Sequence, residues 1–191
     1  HGIGALPLRP LRPDVLALLR DDDLAGAALS LEPDFLRRVV ATSPVAGLLG
    51  NTLPQRLRGD LALVLCDGAP LPTGAIIVGI EPGENFIPEI ETLLRLLGAQ
   101  RKAEAKIPTW QLESPLGVIT VAVGKDSVVV STLAGSVDRF FARTNAVNPD
   151  NAVIVCRIDV ATLAKHWLPS VYRQFDHYDN SVNKLFEELM P

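Results

Sequence analysis

Cysteine, methionine, histidine and aromatic side chains are all scarce in this chain of 191 residues. It contains two cysteines, one methionine, three histidines and 5% aromatic residues. Two cysteines are too few for a disulfide-dense scaffold, and a chain of this length buries enough apolar surface to fold without one. No apolar run approaches the roughly 20 residues that a transmembrane helix requires. We therefore expect an ordinary globular protein without a membrane span.

Apolar residues are abundant and charged residues are of mixed sign. Hydrophobic residues make up 48% of the chain, charged residues 21%, and the mean hydropathy is +0.24, which is typical of a packed globule rather than a disordered chain. The net charge of -4 argues against a nucleic-acid partner, because such proteins concentrate Lys and Arg. The chain begins with His1, so a longer protein with a removed signal peptide is left open.

The first 58 residues have a helical pattern. The stretch "RPDVLALLRDDDLAGAALSLEP" (residues 12–33) places apolar residues on one broad helical face, and "PDFLRRVV" begins a second helix. Gly50 and Asn51, followed by Pro54, are typical of a helix end. The triple acid Asp21 to Asp23 is interpreted as an exposed, solvated part of the first helix. The sequence thus predicts an N-terminal helix pair.

From residue 59 onward, short β-branched runs alternate with helical stretches. The runs "LALVLC" and "AIIVGI" predict a hairpin, and Phe86 to Leu97 has the spacing of an amphipathic helix that stops at Gly98. The tripeptide "RGD" at residues 58–60 is interpreted as the turn before that hairpin. Three further strands are predicted from "TWQLES", "GVITVAV" and "SVVVST", then a helix, the strand "AVIVCRI" and a helix capped by Asp159.

A passage from an apolar strand into an amphipathic helix occurs three times, in "AIIVGIEPGENF", "SVVVSTLAGSVDRF" and "AVIVCRIDVATL". We therefore predict one α+β domain over residues 1–191, with a mainly antiparallel sheet built from repeated strand-helix units and helices packed on it. Its parts are a helical entry segment (1–58), the repeated core (59–169) and a C-terminal helix (170–191).

The two cysteines occupy comparable places in two of these strands. Cys66 and Cys156 each lie in a run that is apolar on both faces, as in central strands covered on both sides. We predict that both are buried, unpaired and not metal-bound, acting as small apolar side chains. A disulfide stays open if their Cβ atoms lie about 4 Å apart. A metal or redox site has less support, because there is no CxxC pair and no nearby histidine.

Catalytic patterns are missing from the sequence. The turns at Asp67 and Asp126 depart from the D-T/S-G pattern of aspartic proteases, and there is no G-x-S-x-G, P-loop or G-x-G-x-x-G. In "FDHYD", Asp176, His177 and Asp179 offer donors for a divalent ion, but we interpret this stretch as a polar loop before the last helix. We predict no catalytic residue, no metal site and no cofactor.

Aromatic residues gather in "HWLPSVYRQFDHY" near the end of the chain. Tyr and Trp give rigid contact area at interfaces, so we predict Trp167, Tyr172 and Tyr178 as residues that bind a protein partner. The alternative is that these side chains pack the last helix on the sheet. The sequence names no specific partner.

The segments "RGDLALVL", "IIVGIEPGENF" and "VVVSTLAGSVDRF" resemble repeated strand-helix modules of uncharacterised bacterial envelope proteins. The resemblance covers about residues 59–169 and implies a periplasmic or other extracytoplasmic domain with a structural or interaction role. The leading hypothesis is accordingly a non-enzymatic structural or protein-binding domain. The alternative is a cell-envelope hydrolase that uses carboxylates such as Asp67 and Asp126, or a weakly bound metal at Asp176, His177 and Asp179.

Overall fold

A computed structural model describes residues 7–19, 23–43, 52–66, 73–81, 86–114, 117–132, 137–141 and 151–167. These residues form one eight-stranded sheet in which every neighbouring pair is antiparallel, in the order β4-β5-β6-β7-β3-β2-β1-β8. The strands are β1 Ala25–Ser30, β2 Leu57–Cys66, β3 Thr73–Ile80, β4 Gln100–Arg101, β5 Thr109–Ser114, β6 Gly117–Val123, β7 Ser127–Ser131 and β8 Ile154–Ile158.

Short helices connect these strands. They are α1 Pro13–Leu16, α2 Pro33–Ala41, α3 Thr52–Gln55, α4 Phe86–Leu96 and α5 Val160–Thr162, with a 3-10 turn at Val137–Phe140 and a π-helical turn at Leu163–Trp167. Proline begins both α1 and α2, where its missing N–H is not needed. After α4 the chain reverses at Gly98, whose φ is 84°, as is common after a helix end. None of the described helices is long and apolar enough to cross a membrane.

One side of the sheet, the first face, is buried under α1 and the 3-10 turn. Ala62, Ile77 and Val129 follow one another in register across β2, β3 and β7, and all three are almost fully buried. Val15 from α1 and Phe140 from the 3-10 turn belong to the same core cluster. This apolar core forms because alternate residues of each strand point to the same side.

The opposite side, the second face, is only partly covered. Helix α4 places Phe86, Ile90 and Leu94 against it, and Trp110 of β5 and Val123 of β6 complete this second core. The three α4 residues recur at intervals of four, so they form one stripe along the helix. The prediction of an amphipathic helix that begins at Phe86 is confirmed.

The α+β architecture and the antiparallel sheet agree with the sequence-based prediction, and the hairpin of β2 and β3 is present. The predicted helix over residues 12–33 is wrong beyond its first turn, because residues 25–30 form strand β1 between β2 and β8. The N-terminal helix pair is thus not confirmed. The repeated strand-helix unit is not confirmed either: after β7 there is a 3-10 turn, and α5 has three residues. Residues 170–191 lie outside the described part.

Candidate binding site

The two cysteines lie on opposite faces of the sheet. Cys66 is buried on the first face, with its Sγ 3.7 Å from the Oδ1 atom of Asp23. Cys156 is exposed on the second face, in register with Ala27, which pairs in turn with Leu63 of β2. Cys66 and Cys156 form no disulfide with each other, so the disulfide alternative is wrong. The predicted burial holds for Cys66 and is wrong for Cys156, because β8 is an edge strand rather than a central one.

The predicted partner-binding residues fall at or beyond the end of the described chain. The backbone of Trp167 ends the π-helical turn after α5. Tyr172 and Tyr178 lie outside the described residues. Their role in binding a partner stays a prediction.

Most residues of the hydrolase alternative also lie outside the described part of the chain. Asp67, Asp176, His177 and Asp179 are not among the described residues. Asp126 lies in the turn between β6 and β7, and its Oδ1 is 3.4 Å from the hydroxyl of Ser127. Within the described part of the chain, no group of three His, Cys, Asp or Glu side chains could hold a metal ion.

A buried ion cluster surrounds Asp60, in the tripeptide that was interpreted as a turn. This carboxylate is 2% exposed and accepts hydrogen bonds from the Ser30 hydroxyl at 2.7 Å, from Arg9 at 3.1 Å and from Arg58 at 2.8 and 3.1 Å. The turn interpretation is wrong, because residues 58–60 lie inside β2, where the register shifts. Gly59 permits that shift with a φ of 89°. The cluster holds β2 to β1 and to the N-terminal segment.

The predicted exposure of Asp23 is also wrong. It was predicted on a solvated helix face, but it is 3% exposed and pairs with Arg139 in the 3-10 turn. A carboxylate so buried needs a charged or hydrogen-bonding partner. The pair therefore links the start of β1 to the segment that covers the first face, and we interpret it as structural.

An apolar cavity of about 340 Å³ lies between the second face and helices α2, α3 and α4. Its walls come from three helices and from strands β2, β3, β6 and β7, and every lining side chain is apolar: Leu36, Val40, Leu53, Pro54, Leu57, Leu61, Val78, Ile80, Phe86, Ile90, Leu93, Val121, Val128 and Val130. Its volume is in the range of small-molecule sites.

The floor of this cavity is unusual for the middle of a sheet. Leu61, Val78 and Val128 form one row across the adjacent strands β2, β3 and β7. All three are only half-buried, although α2 and α4 stand on the same face. Helix α2 packs on part of β2, and the helices together leave a gap above these three residues. The sequence showed these residues only as apolar, so their exposure to a cavity was missed.

An ion pair between Arg37 and Glu81, bonded to the backbone of Arg56, lies next in sequence to residues that line the cavity. The Nη2 atom of Arg37 in α2 is 3.2 Å from the Oε1 atom of Glu81, and the backbone N–H of Glu81 donates to the carbonyl of Arg56 at 2.7 Å. The Nε atoms of Arg37 and Arg56 are buried without a hydrogen-bond partner among the described residues. Buried donors without partners are rare in folded proteins.

The remainder of the second face carries an exposed apolar strip. Ile76 of β3 and Leu63 of β2 are 51% and 47% exposed, and Ile154 and Ile158 of β8 are similarly open. Cys156 lies in the same side-chain row as Leu63 and Ile76, through Ala27. We call this surface the open strip. Contiguous exposed apolar surface is typical of interaction sites.

A larger, polar cleft of about 720 Å³ lies on the first face under the β4–β5 loop. Arg101, Lys102, Glu104 and Lys106 line it together with Asp138. The guanidinium of Arg101 also pairs with Glu91 at 3.1 Å and stands over the Trp110 ring. Mixed, exposed charges of this kind are typical of a solvated loop, so the apolar cavity is the stronger candidate site.

Comparison with known proteins adds no relative. Neither the protein-family models nor the curated proteins and solved structures contain a match to this chain.

Proposed function

We propose that the protein is a binding domain that takes an apolar guest into the cavity between the second face and helices α2, α3 and α4. One observation carries the proposal: in the described part of the chain, the residues that line a cavity of about 340 Å³ are all apolar. Ligand sites are commonly concave and mostly apolar. The function is therefore retention or presentation of an apolar group, in line with the non-enzymatic binding role predicted from the sequence.

Energetics favour a guest over an empty or water-filled space. The cavity is open to solvent on one side, so water enters it when no guest is bound. Ordered water needs two to four polar partners, and these walls offer almost none. An apolar guest removes the wall surface from water without needing hydrogen bonds.

A neutral apolar dye tests this proposal. N-phenyl-1-naphthylamine should bind the protein and increase its fluorescence, and Val78→Phe, which places a ring on the cavity floor, should weaken binding at least tenfold. Val118→Phe is the matched control, because Val118 is 46% exposed on β6 and lies outside the cavity. Far-UV circular dichroism and melting temperature check that both variants fold.

Unchanged dye binding in Val78→Phe would contradict the proposal. If Val78→Phe folds and binds the dye as well as the unchanged protein, the guest does not occupy the cavity. Ile76→Ser then tests whether the dye binds to the open strip, because Ile76 is in the open strip and not in the cavity wall. If dye binding is lost in Ile76→Ser and kept in Val78→Phe, the dye binds to the open strip and not in the cavity.

A protein partner and an extracytoplasmic setting in a bacterial envelope are also part of the proposal. The open strip supports a protein contact, because Leu63 and Ile76 expose about half of their surface. Cys156 in that strip provides a native site for a photoactivatable cross-linker. A partner cross-linked from Cys156 should be lost in Leu63→Ser. Cell fractionation that finds the protein only in the cytoplasm would contradict the envelope setting.

The hydrolase remains a separate hypothesis. Its carboxylates at Asp67 and Asp126 and its metal donors at Asp176, His177 and Asp179 are tested by turnover of peptide and glycan substrates. Activity that disappears in Asp67→Asn or Asp176→Ala would establish the enzyme and would not depend on the apolar cavity.

A further inference from the structure

We infer that the edge strand β8 binds the β8 strand of a second copy of this chain, so that two sheets join in antiparallel fashion about a twofold axis at Cys156. This inference does not depend on the apolar cavity. It is supported by the outward backbone groups of β8, by the order of its side chains and by the contrast with the opposite edge of the sheet.

The outer side of β8 carries backbone groups that are available for pairing. The backbone N–H of Asp159 donates to the carbonyl of Leu24 at 2.9 Å, and the register of β8 with β1 is regular, so the odd-numbered residues of β8 bond to β1. Alternate residues of an antiparallel strand direct their N–H and C=O groups to opposite sides. Among the described strands, β8 is the last of the sheet. Three residues therefore direct these groups to the open edge: Ile154, Cys156 and Ile158.

The open edge is as long as β8 itself. At one end the carbonyl of Ala152 accepts a hydrogen bond from the N–H of Leu11 at 2.7 Å, and at the other end Asp159 caps α5. With Cys156 on the twofold axis, each outward residue lies opposite an outward residue of the second copy. Each such pair exchanges two hydrogen bonds, so the joined strands gain about six.

The side chains of β8 match one another when the strand is reversed. In register about Cys156, Ile154 faces Ile158 of the second copy. Val155 then faces Arg157, so no two like charges lie directly opposite each other. Ile154 and Ile158 are 46% and 59% exposed, and the pairing brings these apolar side chains together. Twofold symmetry is also the commonest arrangement of soluble oligomers.

The opposite edge of the sheet has features that prevent such pairing. Strand β4 consists only of Gln100 and Arg101, and Arg101 pairs with Glu91. Short edge strands and charged side chains protect sheets from edge-to-edge association. Strand β8 has five residues, without proline or lysine, and pairs with β1 without a bulge. Its one charged residue, Arg157, lies on the first face, in register with Gly26. The edge at β8 is therefore the one suited to a second copy.

Sedimentation velocity at increasing protein concentration tests the inference. The unchanged protein should pass from monomer to dimer. Cys156→Lys places two lysines opposite each other at the axis, where like charges repel, so the dimer should dissociate at a concentration at least tenfold higher. Val118→Lys is the matched control and should leave the dimer unchanged, because Val118 is 46% exposed on the inner strand β6. Far-UV circular dichroism checks that both variants fold.

Oxidation with diamide, which removes one hydrogen atom from each of two thiols, tests the register. The Cα atoms of a hydrogen-bonded antiparallel pair lie about 5.5 Å apart, which a disulfide can span. Diamide should therefore link two chains through Cys156, whereas Cys66 is buried. In the Cys156→Ser background, Ile154→Cys alone should give no cross-link, and Ile154→Cys together with Ile158→Cys should restore it.

Three results would overturn the inference. They are a protein that stays monomeric up to its solubility limit, a dimer that Cys156→Lys leaves unchanged, and a cross-link from Ile154→Cys alone that equals that of the double variant. A dimer lost in Leu63→Ser but kept in Cys156→Lys would mean that the copies meet on the open strip and not at the edge of β8. Dye binding in the cavity should be the same in Cys156→Lys and the unchanged protein, so failure of the pairing leaves the proposed function intact.

Discussion

Replacing Asp60 by alanine should strongly destabilise the protein. The carboxylate is 2% exposed and accepts hydrogen bonds from Ser30, Arg9 and Arg58. Arg58 is 12% exposed and Arg9 is 29% exposed. The alanine variant leaves Arg9 without the Asp60 carboxylate and leaves Arg58 with its 3.4 Å contact to Asp14, in a place with little water. The free energy of unfolding of Asp60→Asn should lie between those of Asp60→Ala and the unchanged protein. Asparagine keeps an acceptor oxygen but loses the negative charge.

The size of the effect follows from burial. Removing one partner of a buried ion pair costs about 3–5 kcal/mol. The lower end, about 3 kcal/mol, applies here because Arg9 is partly exposed and can regain water. In a protein of 150 to 250 residues, each kcal/mol lowers the melting temperature by about 2–4 °C, which gives a decrease of roughly 6–12 °C.

Urea unfolding followed by circular dichroism measures the change in the free energy of unfolding, and calorimetry measures the melting temperature. Asp34→Ala is the matched control, because Asp34 is 87% exposed and makes a 3.3 Å contact with Arg37. Exposed ion pairs contribute little, so the control should lose less than about 1 kcal/mol. If both variants lose the same amount, the Asp60 cluster does not hold β2 in place and the reasoning is wrong.

Three further predictions concern single positions. In the native protein Cys156 should react rapidly with a thiol reagent and Cys66 only after unfolding, since one is exposed and the other buried; two slow thiols would contradict the edge position of β8. Gly59→Ala should lower the free energy of unfolding by at least about 2 kcal/mol, since φ is 89° and a Cβ would lie 2.0 Å from a backbone oxygen; an unchanged urea midpoint would refute this. The pKa of Asp159 is lowered by hydrogen bonds from the hydroxyl and the backbone N–H of Thr162. The stabilisation of α5 by this cap is therefore present above pH 3.8 and disappears as the pH falls through the lower pKa of the folded state. NMR titration of the carboxyl group should show the lowered pKa.

Several strands and one helix could be predicted because their patterns are local. The runs at β3, β6 and β7 are rich in β-branched residues, β2 is an apolar run rich in leucine, and α4 has apolar residues at intervals of four. The stretch at residues 25–30 is predicted as helix because the apolar residues of segment 12–33 can be placed on one broad helical face. Its strand conformation is fixed by pairing with β2 and β8, which are distant in sequence. Local propensity cannot show such pairing.

The amino-acid sequence by itself determined the α+β class, the antiparallel hairpin of β2 and β3 and the amphipathic character of α4, since these depend on residue periodicity and adjacent segments. Only the tertiary structure decided which face each side chain occupies and what covers it. Val78 and Ile77 are consecutive apolar residues, yet one lines a cavity and the other is core. The difference arises because α1 packs tightly on the first face, whereas α2, α3 and α4 leave space above the second.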